Sequence, residues 1–110
     1  MSDWIDEFPG MISVCDKDGK ILVMNNKIAD YFASTGGKDL IGSNIYDCHS
    51  PKSAAMIKQM ISHPKTRVYT TEEDGQKELV IHAPWYQNGE FSGLVEITVQ
   101  FEGEIPHRAG

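Results

Sequence analysis

The sequence predicts an α+β domain, a five-stranded antiparallel sheet with short helices packed on one face. Three observations predict it. β-prone runs fill the first third ("MISVC", "KILVM") and the last third of the chain, as strands require. In the middle third apolar residues recur every third or fourth position, the helical period. Turn residues (Asp18-Gly19, Asp74-Gly75 and Asn88-Gly89) fall between the strand-like runs, where hairpins would put them.

Taken in order, "DWIDEF" predicts a short turn of helix ended by Pro9-Gly10. "MISVC" and "KILVM" predict two strands around the "DKDG" turn. In "NNKIADYFAST" the period changes. Ile28, Tyr31 and Phe32 form one apolar helical face, Asn25 or Asn26 supplies the N-cap, and Gly36-Gly37 close the helix. "KDLIG" is a helical turn and "SNIYDCH" a loop. Ser50 then caps a helix with Pro51 at its first position, where the missing N–H costs nothing. Ala54, Ile57 and Ile61 line one face of that helix, Met56 and Met60 flank it, and His63-Pro64 ends it. "TRVYTTEE", "QKELVIHAPWY" and "FSGLVEITVQF" read as a three-stranded meander, with an irregularity near Pro84. The 110 residues make a single domain, its core spanning about 5–101 and a tail 102–110.

Composition narrows the function classes. With 40% hydrophobic and 24% charged residues the chain is an ordinary globular domain. Its formal net charge of -6, with scattered Lys and Arg, argues against nucleic acid as a partner. No apolar run is long enough to span a membrane, and the acidic N-terminus is unlike a signal peptide, so a cytoplasmic chain is expected. Two cysteines build no disulfide framework.

"MISVCDKDGKILVMNNKIADYF" resembles the opening hairpin and first helix of PAS domains. "LIGSNIYDC" resembles their Gly-x-Asn loop, and "NGEFSGLVEITVQ" is similar to their final hairpin. The resemblance covers residues 5–101. "DCHSPKS" is most similar to a bacterial and archaeal PAS subgroup with a Cys-His-x-Pro-Lys-Ser element, which in larger proteins accompanies haemerythrin-like domains. The resemblance implies the PAS fold and a sensory or signalling module. It implies a cavity between sheet and helices that holds haem, flavin or a small metabolite, or that stays apolar while the domain dimerises or meets a signalling partner. Fold alone does not choose among these.

Residue by residue, the choices separate. Light-sensing PAS domains carry a cysteine directly after Gly-x-Asn. Here Ile45 holds that place and Cys48 comes three residues later, so flavin is the weaker cofactor expectation. Haem is the main alternative, in a gas or redox sensor using Cys48, His49 or His63. Yet the helix that carries the proximal histidine in haem PAS domains has none here, and Ile57 stands near that position. Cys15, Cys48, His49, His63, His82 and His107 lack paired ligand spacing, so no metal site is expected. No nucleophile elbow, phosphate loop or zinc-protease motif suggests an enzyme. Ser50, Lys52 and Ser53 at the helix start could hold an anion, although Ser50 is equally explained as a cap. The expected ligand pocket comprises Tyr31, Met56, Ile57, Met60, His82 and Trp85, with Cys48 and His49 at its mouth. Where many PAS domains end in Asp-Ile-Thr and a signalling helix, this chain has Gln100, Phe101 and Glu102, then Pro106, which puts the usual output junction in doubt.

Overall fold

The first strand-like run folds as β1 (Met11–Asp16) and returns as β2 (Ile21–Met24). Their turn is fastened by Asp16, whose Oδ1 accepts from the backbone N–H groups of Asp18 and Lys20, both at 2.9 Å. The computed structural model describes residues 3–110, the side chains of Asp3 and Cys48 excepted. Before β1 lies α1 (Asp3–Glu7), tied to the helical layer by Lys38 Nζ to Asp6 Oδ1 at 3.1 Å. After β2 come α2 (Asn26–Tyr31), three 3₁₀ turns (33–35, 37–40 and 45–48) and α3 (Pro51–Ser62). The meander β3 (Arg67–Glu73), β4 (Gln76–Gln87) and β5 (Glu90–Phe101) completes the sheet.

The sheet order is β2-β1-β5-β4-β3, antiparallel throughout. The last strand therefore lies at the centre, between the first strand and its own hairpin partner. At Gly93, in β5, φ is +152°, and a Cβ there would lie 1.9 Å from the Cys15 carbonyl oxygen, so only glycine lets β5 pass β1 at this point. The Cys15 carbonyl instead accepts from Trp85 Nε1, at 2.9 Å.

Two details refine the sequence reading. "SNIYDCH" is not simply a loop. Residues 45–48 wind into a 3₁₀ turn capped by Asn44, whose side chain accepts from Tyr46 N–H at 2.9 Å and donates to the Asp18 carbonyl at 3.2 Å. Ile21 N–H to Ser43 O and Ile45 N–H to Gly19 O then clip this segment along β2, so it covers that sheet edge. The irregularity expected at Pro84 falls one step later, between Trp85 and Tyr86.

The buried core divides into two clusters. Cys15, Ile57, Met60 and Leu94 form one, Ile21, Met24 and Ile28 the other. Beside the second cluster sits Asn25, fully buried at 0% exposure, which ties the start of β1 to α2. Its Oδ1 accepts from Ile12 N–H (3.0 Å) and, as the α2 cap, from Ile28 N–H (3.3 Å); its Nδ2 donates to the Gly10 carbonyl (2.8 Å). Its backbone N–H adds a bond to Ile12 O at 3.0 Å. Asn25→Ala removes the cap and leaves buried polar groups without partners. The cap is worth about 1 kcal/mol and each stranded group about 1–3 kcal/mol, so urea unfolding should show a loss of about 2–4 kcal/mol. Asn25→Asp should not rescue it, because a carboxylate cannot donate to the Gly10 carbonyl. A loss below about 1 kcal/mol would remove Asn25 from this role.

Candidate ligand-binding site

Strand alternation sends Ser13, Cys15, Tyr69, Val80, His82, Leu94, Glu96 and Thr98 to the sheet face that carries the helices. Across the sheet they register in rows. One row reads Met24–Ser13–Glu96–His82–Arg67, and Cys15–Leu94–Pro84 lies beside it. Above the first row α2 and α3 do not close. They leave a cavity of about 240 Å³ lined by members of both core clusters. Ile21, Met24, Ile28 and Phe32 form its apolar end, and Ile57 and Met60 of α3 wall the other side.

The floor is polar. His82 Nε2 stands 3.0 Å from Glu96 Oε2, and Tyr69 Oη is 3.4 Å from the same ring nitrogen. His82 Nδ1 lies 3.2 Å from Met60 Sδ, joining the floor to α3. Ser13 lines the same space, and among the described residues its hydroxyl makes no hydrogen bond. At the rim His49 Nδ1 lies 2.8 Å from the Ile45 carbonyl oxygen. A carbonyl only accepts, so Nδ1 carries the proton, which leaves Nε2 as the acceptor whenever the ring holds a single proton.

Two groups here have shifted acidities. Burial pushes the Cys15 thiol up, with the nearby Asp16 and Glu96 charges adding to this and a hydrogen bond to the Leu94 backbone opposing it. The Tyr69 phenol is also raised, first by partial burial and then by the Glu96 charge. Cys15 is therefore a thiol at neutral pH, a small apolar wall element and a poor nucleophile.

The expected pocket residues divide. His49, Met56, Ile57, Met60 and His82 line the cavity, as does Ser53. Met56 is 57% exposed and stands at the rim. The Cys48 side chain lies outside the described residues. Tyr31 and Trp85 stand outside the lining, which corrects their placement in the pocket. Tyr31 is 71% exposed because α2 ends there; the chain turns into 3₁₀ geometry, and Phe32 enters the cavity in its stead. Trp85 shares its strand parity with Ala83 and Ile81, opposite to His82, and spends its N–H on the Cys15 carbonyl. At the start of α3, Ser50 Oγ accepts from Ser53 N–H at 3.2 Å, and Lys52 is exposed. Ser50 is thus accounted for as a cap.

Glu96, Tyr69 and Ser13 were missed. The signal for Glu96 was present: it is the one charged residue in "SGLVEITV", at the parity of Leu94 and Thr98. Tyr69 and Ser13 gave no signal of their own, since their place depends on which face the helices cover.

Haem does not fit these residues. A cavity of about 240 Å³ is smaller than the pockets that hold drug-sized ligands, and a porphyrin is larger still. His63 caps the C-terminal end of α3 and is not in the lining, while His82 is engaged by Glu96, Tyr69 and Met60. Among the described residues no group of three or more His, Cys, Asp or Glu side chains could hold a metal ion, and no helix is long and apolar enough to cross a membrane.

No family model matches the sequence, and no curated protein does. Solved structures do. The chain is similar to the PAS domain of BvgS from Bordetella pertussis, with a TM-score of 0.65 and 20% identity over 92% of this chain and 83% of that one. It is similar to the PAS domain of an HTR-like protein from Haloarcula marismortui (TM-score 0.58, 20% identity, 89% and 91% covered). A third is the Aer2 receptor of Vibrio cholerae, a dual PAS-haem oxygen sensor (TM-score 0.58, 16% identity, 84% and 95% covered). The five-stranded antiparallel sheet, its short helices on one face, and these likenesses together establish that the chain has the PAS fold.

Proposed function

We propose that the chain is a sensory or signalling module of the PAS superfamily that binds a small molecule between its sheet and α3. The observation that carries this reading is the cavity: apolar walls around a floor with a few convergent polar groups, which is how small-molecule sites are built. A domain serving only as scaffold would gain by filling about 240 Å³ of interior, because unfilled volume forfeits packing. The "DCHSPKS" stretch supports the Cys-His-x-Pro-Lys-Ser subgroup, with His49 contributing to the rim. Binding would act on α3 through the His82–Met60 contact and on the sheet through β5. The likeness to a haem-containing sensor is a likeness of fold, and the cavity favours a smaller occupant.

A second reading, self-association through the other sheet face, has one observation in its favour. Val68 is 58% exposed there, and Ile81, Val95, Ile97 and Val99 are only half-buried.

Native mass spectrometry of the purified chain tests both readings, since it reports a retained small molecule and the number of subunits. Ser13→Leu places a larger apolar side chain beside Glu96. It should abolish retention while the thermal midpoint holds or rises. A chain that retains nothing, and whose cavity amides respond to no small apolar probe, would sink the ligand reading.

A thiol-dependent enzymatic reading would require a reactive cysteine, and among the described residues Cys15 is the cysteine that lines the cavity. In a Cys48→Ser background, iodoacetamide at neutral pH should alkylate Cys15 far more slowly in the folded than in the urea-unfolded chain. Stability should carry the same signature. The unfolded thiol releases its proton near the ordinary value of about 8.5, the folded one only at higher pH. Between the two the native state binds more protons, so stability falls as pH rises; below the lower value the thiol contributes no slope. Urea midpoints from pH 7 to 9.5 should show that decline, and Cys15→Ala should flatten it. Rapid native alkylation with no decline would restore Cys15 as a nucleophile.

A further inference from the structure

We infer that the cavity's occupant is a small, largely apolar molecule bearing a protonated amine or an equivalent cationic donor, anchored by Glu96; this rests on the ligand-binding reading above. The charge of the lining decides it. Glu96 brings a carboxylate to the middle of the floor, and no Lys or Arg lines the cavity to neutralise it. Arg67 ends the same sheet row beyond His82, but its guanidinium points to the carbonyls of Lys65 and His63, each at 3.4 Å. Lys58 lies over the Tyr46 ring, 5.1 Å from its centroid.

Glu96 is also an expensive choice for its position. Glutamate is depleted in strands, and here it sits in the central strand on the helix-covered face. His82 is its one hydrogen-bonding or ion-pair partner among the described residues. A carboxylate has about four acceptor sites, so most of its capacity stays open to the cavity, and its side chain is 42% exposed. The second polar group at the rim, His49 Nε2, is likewise an acceptor in the neutral ring. An anionic ligand would find donors in the Ser13 and Tyr69 hydroxyls but would meet the like charge of Glu96 with no cation to offset it; a donor with positive charge would meet a complementary carboxylate. Tyr69, beside His82, adds an aromatic ring to the lining, and the net charge of -6 raises the local concentration of cations. A bare metal ion is disfavoured, because among the described residues Glu96, His82 and His49 do not gather into a ligand set. The apolar end at Ile21, Met24, Ile28 and Phe32 fits the remainder of an amine that carries a hydrocarbon or aromatic body.

Three probes of one length test this: 3-phenylpropylamine, 3-phenylpropanol and 3-phenylpropanoate, titrated at neutral pH against the chain's backbone amide NMR signals. The amine should bind about tenfold or more tightly than the alcohol, the gain of one charge-assisted hydrogen bond, and the carboxylate should bind weakest. Glu96→Gln should bring the amine-to-alcohol ratio close to one. If the alcohol binds but the amine gains nothing, or the carboxylate binds best, the cationic inference is overturned while the ligand-binding reading stands. If the preference survives Glu96→Gln, Glu96 is not the anchor and the inference is likewise overturned. If none of the three perturbs the amides around the cavity, the inference and the ligand-binding reading fall together.

Discussion

The junction between the sheet and the helical layer leans on the side chain of Asn25. It is fully buried at the point where β2 ends, and it satisfies three backbone groups in two segments, Gly10 and Ile12 around the start of β1 and Ile28 in the first turn of α2. An asparagine can do this because it offers both donor and acceptor; an aspartate could only accept and a leucine could do neither. The bonds fix where the helical layer leaves the sheet. Once that departure is set, Ile28 drops onto Met24 and Ile21, and one of the two core clusters follows. The other cluster forms on the far side of the cavity, where α3 lays Ile57 and Met60 on Cys15 and Leu94.

Two anchored ends leave the middle uncovered, and that has a physical consequence. Helices tied down at β2 and at the start of β3 do not fill the space above the Ser13–Glu96–His82 row. Apolar side chains in that row would close the gap by packing. A serine, a glutamate and a histidine hold it open to polar contact, because each has groups that burial under hydrocarbon would strand. The cavity and its polar floor are therefore one feature. Gly93 contributes from behind, since it lets β5 run at the sheet's centre close enough to β1 for Glu96 and Ser13 to stand side by side.

What could be read from the sequence was what neighbouring residues decide. Ser50-Pro51 as a helix start, the Asp-Gly and Asn-Gly hairpins and the meander depend on capping and turn chemistry within a few positions, and the structure has them. Asn25 was readable as a cap, but its bonds to Gly10 and Ile12 span 15 and 13 residues and left no local trace. Tyr31 was misplaced because a six-residue helix is too short for its period to persist beyond its end. Trp85 was misplaced despite an available signal: two-residue alternation already sets it with Ala83 and against His82. Glu96 was overlooked for a different reason. A charge within an apolar strand looks like a solvent-facing position until the helix-covered face is known.

The polar floor also bears on how an occupied cavity could be felt outside it. Glu96 lies on the central strand, with Ser13 on one neighbour and His82 on the other. A ligand cation that draws the Glu96 carboxylate toward itself would lengthen its contact with His82 Nε2, and the other nitrogen of that ring lies against Met60 of α3. Released from Glu96, the His82 ring has Tyr69 as its remaining polar neighbour on the sheet, in the exposed edge strand β3. One exchange of partners at Glu96 would thus reach both α3 and the sheet edge, through contacts of 3.0–3.4 Å rather than through a general loosening. A contiguous route is not itself evidence of coupling. It identifies the element whose two arrangements a ligand would have to favour unequally, and that element is the His82 ring, not the cysteine and histidine that precede α3.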